Sequence, residues 1–161
     1  MVSEEQFRSA LSRFASGITV ITTADGSGAP IGLTVTAFSS VSLRPPLVLV
    51  CVDKSSNSHP AFALKGHFVV NMLAEEQTEL SSLFASRSVQ NRFAHVPYKL
   101  NSNKIPVLDG CVASLECQVE NIYEGGDHTI FVASVLDAST SEGKPLLYYA
   151  SRYGRLEKQD E

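Results

Sequence analysis

The chain has 161 residues, 43% hydrophobic and 19% charged, with a net charge of −4. That length suits a single domain with its own core, and the composition excludes a chain disordered along its whole length. The acidic balance argues against a nucleic-acid-binding surface, though it leaves room for a local basic pocket.

Residues 3–16 predict an amphipathic helix. Ser3 and Gln6 have the spacing of a capping box, Phe7, Ala10, Leu11, Phe14 and Ala15 fall on one face, and Gly17 is placed to end it. From residue 18 the pattern turns to β. Residues 18–23 are β-branched throughout, Asp25-Gly26-Ser27-Gly28 signals a turn, and residues 31–38 predict a second strand. After Pro45-Pro46, the apolar run 47–52 predicts a strand buried on both faces. Residues 68–73, 112–119 and 129–136 add further strands, about six in all, a number suited to a small closed barrel.

Short helices interrupt the strands. Residues 57–65 have Pro60 near the start and Gly66 at the end. Residues 75–86 begin with acidic side chains and bring Leu80, Leu83 and Phe84 together. Residues 87–109 carry Pro97, Pro106 and several Asn and Ser, and are expected to be irregular. The charged tail 156–161 is expected to fray, and the whole chain, 1–161, reads as one domain.

Cys51, Cys111 and Cys117 form no Cys-x-x-Cys pair, which argues against a disulfide framework or a structural zinc site and points to a reducing compartment. No apolar run approaches the ~20 residues of a membrane helix, and the acidic start is unlike a signal peptide. The expectation is a soluble, cytoplasmic protein.

Four stretches have the residue types for a ligand site. Residues 32–43 are rich in hydroxyls at a strand and its exit, which suits a polar ligand with a phosphate, although Thr is common in strands with one solvated face. In residues 51–60 a strand runs into a Ser-rich turn and a helix start, where Lys54, Asn57 and Ser58 add donors for an anion; an ordinary N-cap uses the same residues. No P-loop or dinucleotide fingerprint accompanies it. Gly125-Gly126-Asp127-His128-Thr129 lets the backbone approach a ligand and puts His128 at the mouth of a strand; by itself it also describes a β-turn with a surface histidine. Leu146-Leu147-Tyr148-Tyr149 with Tyr153 reads as core or interface as readily as cofactor contact. His59, His67 and His95 have no metal-ligand spacing, and nothing resembles a nucleophile elbow.

Taken in order, these pieces resemble the short-chain flavin reductase family, the reductase components of two-component flavin monooxygenases. The resemblance rests on Phe14-Ala15-Ser16-Gly17-Ile18-Thr19-Val20-Ile21-Thr22-Thr23, on Thr34-Val35-Thr36-Ala37-Phe38-Ser39-Ser40-Val41-Ser42-Leu43, and on Pro45-Pro46-Leu47-Val48. Phe68-Val69-Val70-Asn71-Met72-Leu73, Arg92-Phe93, Pro106-Val107-Leu108 and Gly126-Asp127-His128-Thr129 extend it over nearly the whole chain. Arg44 departs from it, standing where an acidic residue is expected.

The resemblance implies a mainly β fold, the FMN-binding split barrel, an antiparallel Greek-key barrel that forms a homodimer with flavin near the interface. It implies FMN or FAD as flavin, NADH or NADPH as hydride donor, and a separate monooxygenase that receives the reduced flavin. Thr34, Val35, Thr36 and Ala37 would then lie along the isoalloxazine ring, Ser39 and Ser40 by the ribityl and phosphate, and Cys51, Val52 and Asp53 on the ring's other side. Asn57 and Ser58 match phosphate positions, Phe84 and Ala85 a further flavin contact, His128 the nicotinamide position, and Tyr153 a place near it. An electron carrier that keeps its flavin would use the same residues. A pyridoxamine-phosphate-oxidase-like protein would want more basic phosphate ligands than Lys54, and a barrel that serves only as a binding module is the blandest alternative.

Overall fold

The computed structural model describes residues 1–157; the expected fraying at 158–161 lies outside the described residues. Helix α1 spans Glu4–Leu11 and is followed by β1 (Ser16–Gly17), β2 (Thr19–Ala24), β3 (Pro30–Val35), β4 (Phe38–Leu43) and β5 (Pro46–Asp53). Then come α2 (His59–Lys65), β6 (His67–Met72), α3 (Thr78–Ala85) and a single 3-10 turn, Arg92–His95. The chain ends with β7 (Tyr98–Leu100), β8 (Pro106–Leu108), β9 (Ala113–Gly125), β10 (His128–Thr140), β11 (Leu147–Tyr149) and β12 (Arg152–Gly154).

Seven strands form one sheet in the order β3-β2-β6-β9-β10-β5-β4, every pair antiparallel. The edge strands β3 and β4 are consecutive in sequence, joined only by Thr36 and Ala37. Laid flat, seven strands would hold those edges about 29 Å apart, at roughly 4.8 Å per step. A connection of that length spans only about 10 Å. The sheet therefore rolls into a barrel, split between β3 and β4; the strand count suits a barrel, and the family resemblance implies a split one. There the Cys51 N–H donates to the Ala37 carbonyl at 3.0 Å, and the Phe38 N–H to Thr36 at 2.9 Å.

Side-chain alternation on β2 separates two cores. Ile21 joins Val48, Val50, Val52, Phe68, Val70 and Phe131 inside the barrel, where Phe62 of α2 packs against Phe68 and Phe131. Ile18 and Val20 face outward, under Phe84 of α3, Phe93 and Leu108. β2, like the middle of β6, is thus buried on both faces, and its threonines are satisfied internally: Thr19 donates to the Val35 carbonyl at 2.7 Å and Thr23 to the His67 carbonyl at 2.8 Å. Asn71 links the two layers, donating to the Val20 carbonyl at 2.9 Å and accepting from the Leu108 N–H at 2.9 Å.

β5, expected to be buried on both faces, alternates instead. Val48, Val50 and Val52 enter the barrel, while Leu47, Leu49, Cys51 and Asp53 are half-exposed on the other face. The apolar run lines a cleft there rather than a second core.

Other boundaries differ for identifiable reasons. The Ser3–Gln6 capping box forms with both reciprocal bonds, but α1 ends at Leu11 rather than residue 16. It buries none of its residues, so no packing sustains a longer helix. Gly17 does not terminate it; β1 pairs with β11, Gly17 opposite Leu147. The predicted strand 31–38 breaks at Thr36 and Ala37, where the sheet changes edge. The helix expected at 57–65 starts at His59 and ends at Gly66 with φ 69. The one expected at 75–86 starts at Thr78, because the Glu75 N–H is taken by the Lys144 carbonyl and Ala74 bridges to Pro145. Segment 87–109 is less irregular than expected: β7 and β8 form a hairpin within it.

Candidate active site

The unburied face of β5 leads from one cleft to another. The first, about 590 Å³, lies between α1 and the split in the barrel and is lined by Thr36, Ala37, Ser39, Leu49, Cys51 and Tyr148 among others. The second, about 580 Å³, is lined by Pro30, Gly32, Asn57, Ser58 and Arg87 together with the segment after it. Between them stands Asp53, two residues beyond Cys51 and therefore on the same strand face.

Asp53 organises this middle ground. Its carboxylate accepts from the Ser55 N–H and hydroxyl, each at 2.7 Å, and from the Arg87 guanidinium at 3.0 Å. Arg87 also donates to the Ser55 hydroxyl at 3.1 Å. Hydrogen bonds from Ser55, then the positive charge of Arg87, hold the Asp53 carboxyl below its ordinary value. Arg92 anchors the segment that carries Arg87: it donates to the Gly32 carbonyl at 2.9 Å and to the Ser86 carbonyl.

His128 opens β10 directly opposite Asp53, its partner in the antiparallel register. Its Nδ1 lies 2.8 Å from the Asp127 carboxylate, and that hydrogen bond, followed by the imidazole's charge, lowers the Asp127 carboxyl. A neighbouring carboxylate at Nδ1 fixes the orientation of the ring and leaves Nε2 for a ligand.

The other sequence-predicted residues divide by which way they face. Thr36, Ala37, Ser39 and Cys51 line the first cleft, and Asn57 and Ser58 the second. Val35 and Val52 point into the barrel core. The Thr34 hydroxyl donates to the Ser81 carbonyl at 2.7 Å and ties β3 to α3. Ser40 is exposed on β4, and its carbonyl accepts from the Ser39 hydroxyl at 3.0 Å. Phe84 is buried against Phe93, ring centroids 5.0 Å apart, while Ala85 is exposed at the end of α3. Tyr153 sits over Tyr148 at 5.8 Å, its hydroxyl 3.1 Å from those of both Ser81 and Ser82.

Two cationic groups differ from the sequence reading. Lys54, expected among the anion donors, gives its ammonium to the Gly126 carbonyl at 2.7 Å and to the Glu124 carboxylate. Arg87, which local pattern gave no reason to single out, lines the second cleft with Arg92 and pairs with Asp53. The only trace of it in the sequence is a lone arginine just past a helix end. The helix start at Ser58 is also less open than expected, since the His59 N–H is already taken by the Ser56 carbonyl at 3.0 Å. The side chains of Arg87, Asn57 and Ser58 line the second cleft beside it.

An apolar slot with main-chain groups at its edge, a guanidinium with hydroxyls beyond it, and an imidazole across from their junction can hold a flat, phosphate-bearing ring system. None of the three thiols is activated: burial raises Cys51 and pushes Cys111 up to about 11 and Cys117 to about 12.

Comparison with known proteins shows the family. Residues 11–157 match the family model described as flavin reductase like domain. The chain is 40% identical over 157 residues to the FMN reductase (NADH) SmoA of Agrobacterium fabrum, covering 98% of this chain and 88% of that one. It is 38% identical over 157 residues to the flavin-dependent monooxygenase reductase subunit HsaB of Rhodococcus jostii, covering 97% and 80%. Among solved structures, the Streptomyces globisporus NADH:FAD oxidoreductase SgcE6, in complex with NAD and FAD fragments, superposes with a TM-score of 0.92 at 34% identity, covering 100% of this chain and 99% of that one. The chain belongs to the flavin reductase like domain family.

Proposed function

We propose that the protein is an NAD(P)H:flavin oxidoreductase that reduces FMN or FAD and supplies the reduced flavin to a separate flavin-dependent monooxygenase. The relatives above support the reaction class. The observation that carries the reading to this chain is the course of β5: an apolar slot at Cys51, the Arg87 guanidinium held at Asp53, and His128 directly opposite.

The residues present fit a flavin. The first cleft offers Ala37, Leu49 and Cys51 as apolar walls, with the main chain of residues 34–37 and 51–53 beside them for the polar edge of the ring. Ser39 lines the first cleft, whereas Ser40, opposite Val48, lines neither cleft; Asn57 and Ser58, joined by Arg87, stand on the side proposed for the phosphate. Phe84 and Ala85 support the α3 side, and Phe84 acts through packing, since it is buried.

When bound, the flavin supplies the redox chemistry, accepting a hydride from the nicotinamide. The protein's part is to position two flat rings and exclude water. His128, its Nδ1 held by Asp127, orients the nicotinamide with its Nε2, and the exposed Tyr153, over Tyr148, is a further candidate contact. No side-chain nucleophile or strong base is needed.

A homodimer with flavin near the interface suits the exposed apolar residues, among them Phe14 at 80% and Leu43 at 81% exposure. The unpaired thiols accord with a cytoplasmic setting. Among the described residues no helix is long and apolar enough to cross a membrane.

The test is anaerobic oxidation of NADH and NADPH by the purified protein, with FMN, FAD or riboflavin added in turn. Turnover that scales with added flavin is expected. A single reduction of tightly bound flavin, with the added pool untouched, would make the protein an electron carrier; no reduction with any pair would remove the reading.

A further inference from the structure

Lys54 occupies an unusual junction. It follows Asp53 at the end of β5, and three of its bonds run to the β9–β10 turn. Its main-chain N–H donates to the Asp127 carbonyl at 3.0 Å, and its ammonium donates to the Gly126 carbonyl at 2.7 Å and pairs with the Glu124 carboxylate. The turn it grips, Gly126-Asp127, follows Gly125 at the end of β9 and has Gly126 at φ +71, so its own backbone has little intrinsic stiffness. Directly after that turn comes His128.

We propose that Lys54 is a positioning residue for the nicotinamide. By clamping residues 124–127 to the end of β5, it fixes where the His128 imidazole stands relative to the ring-binding face of Cys51 and Asp53. The role rests on the proposed reaction. It differs from that of an anion donor, because the Lys54 ammonium is already shared between Gly126 and Glu124. It differs from that of a stability element, because the ion pair is largely exposed on the Glu124 side, at 77%, and exposed pairs contribute little to folding.

The test compares Lys54→Met, which removes the ammonium, with Lys54→Arg, which can still donate to both a carbonyl and a carboxylate. Amide hydrogen exchange of the ligand-free protein is the first readout. Lys54→Met should speed exchange across residues 125–128 about tenfold while leaving the β2 and β6 amides and the melting temperature unchanged. In kinetics it should raise the KM for NADH about tenfold with little change in flavin affinity, and Lys54→Arg should restore both. Because Lys54 is proposed to act through His128, Lys54→Met should add nothing in a His128→Ala background.

Unchanged exchange at 125–128, an equal loss of flavin affinity, or additive losses in the double variant would each overturn the role. If the unaltered protein reduces no flavin, the reaction falls and the nicotinamide role with it. The exchange measurement on ligand-free protein then still shows whether Lys54 clamps the turn, so the two failures are told apart.

Discussion

The guanidinium of Arg87 lies 3.0 Å from the carboxylate of Asp53, and the same nitrogen reaches the Ser55 hydroxyl at 3.1 Å. The carboxylate thus holds an exposed cation at the edge of the second cleft, where an incoming phosphate would take over part of its coordination. A hydrogen bond to a charged group is worth about 1.5–3 kcal/mol, so Arg87→Met should weaken FMN binding roughly tenfold to a hundredfold. Riboflavin, which has no phosphate, should bind the variant and the unaltered protein alike. Fluorescence titrations with the two flavins decide it, and an equal loss for both would place Arg87 away from the phosphate.

The same carboxylate gives a pH dependence with a definite sign. Hydrogen bonds from Ser55, followed by Arg87, lower the folded Asp53 value below the ordinary 3.8. A group lowered on folding contributes stability that is present above its unfolded value and lost as pH falls through its folded one. Asp25, held by the Ser27 hydroxyl and the Ala29 N–H, and Asp127, held by His128, act in the same direction. Urea midpoints of the unaltered protein and Asp53→Asn should therefore differ at neutral pH and converge below about pH 4. A gap that persists unchanged into strong acid would show that Asp53 is not stabilised as a carboxylate.

Cys51 reports on the first cleft. Burial pushes Cys117 up to about 12 and Cys111 to about 11, and both side chains are enclosed, whereas Cys51 is half-buried with a smaller upward shift. A maleimide at neutral pH should label Cys51 slowly and the other two only after unfolding. Saturating flavin should suppress the labelling of Cys51. Mass spectrometry of the native protein with and without FMN would show it, and labelling that ignores flavin would move the ring site away from β5.

What the sequence shows most clearly is local chemistry. The Ser3–Gln6 box, the Asp25–Gly28 turn, and Pro60 with Gly66 around α2 each declare themselves within a few residues, and each forms. What it hides depends on distant partners. Residues 47–52 are apolar whether their second face meets a core or a cleft, so the cleft at Cys51 is not legible in them. β1 exists only because Ser16 and Gly17 meet residues of β11 far along the chain. Lys54 and Arg87 look interchangeable as cations, and only the tertiary fold sends one to Gly126 and the other to Asp53. The candidate site residues come together as a set only through what the family resemblance implies, while their spacing alone describes an N-cap and a turn.

Gly32 is where packing and the site meet. A methyl group there would stand 2.7 Å from Phe84 Cε1 and 3.2 Å from Phe93 Cζ, two buried rings packed edge to face at 5.0 Å. Neither ring can retreat, since Phe84 anchors α3 and Phe93 also packs on Tyr98 at 5.4 Å. Gly32→Ala should cost about 1–3 kcal/mol of stability, the usual penalty for overpacking. For a chain of this size that lowers the melting temperature by roughly 2–10 °C. The displaced helix carries the start of the Arg87 segment, and the Gly32 carbonyl is one of the two anchors of Arg92, so FMN affinity should fall together with stability. Phe84→Leu in the same chain should recover part of the Gly32→Ala loss, a coupling that a thermal double-mutant cycle measures directly. A Gly32→Ala protein that melts like the unaltered one would mean that β3 and α3 do not approach as closely as this packing requires.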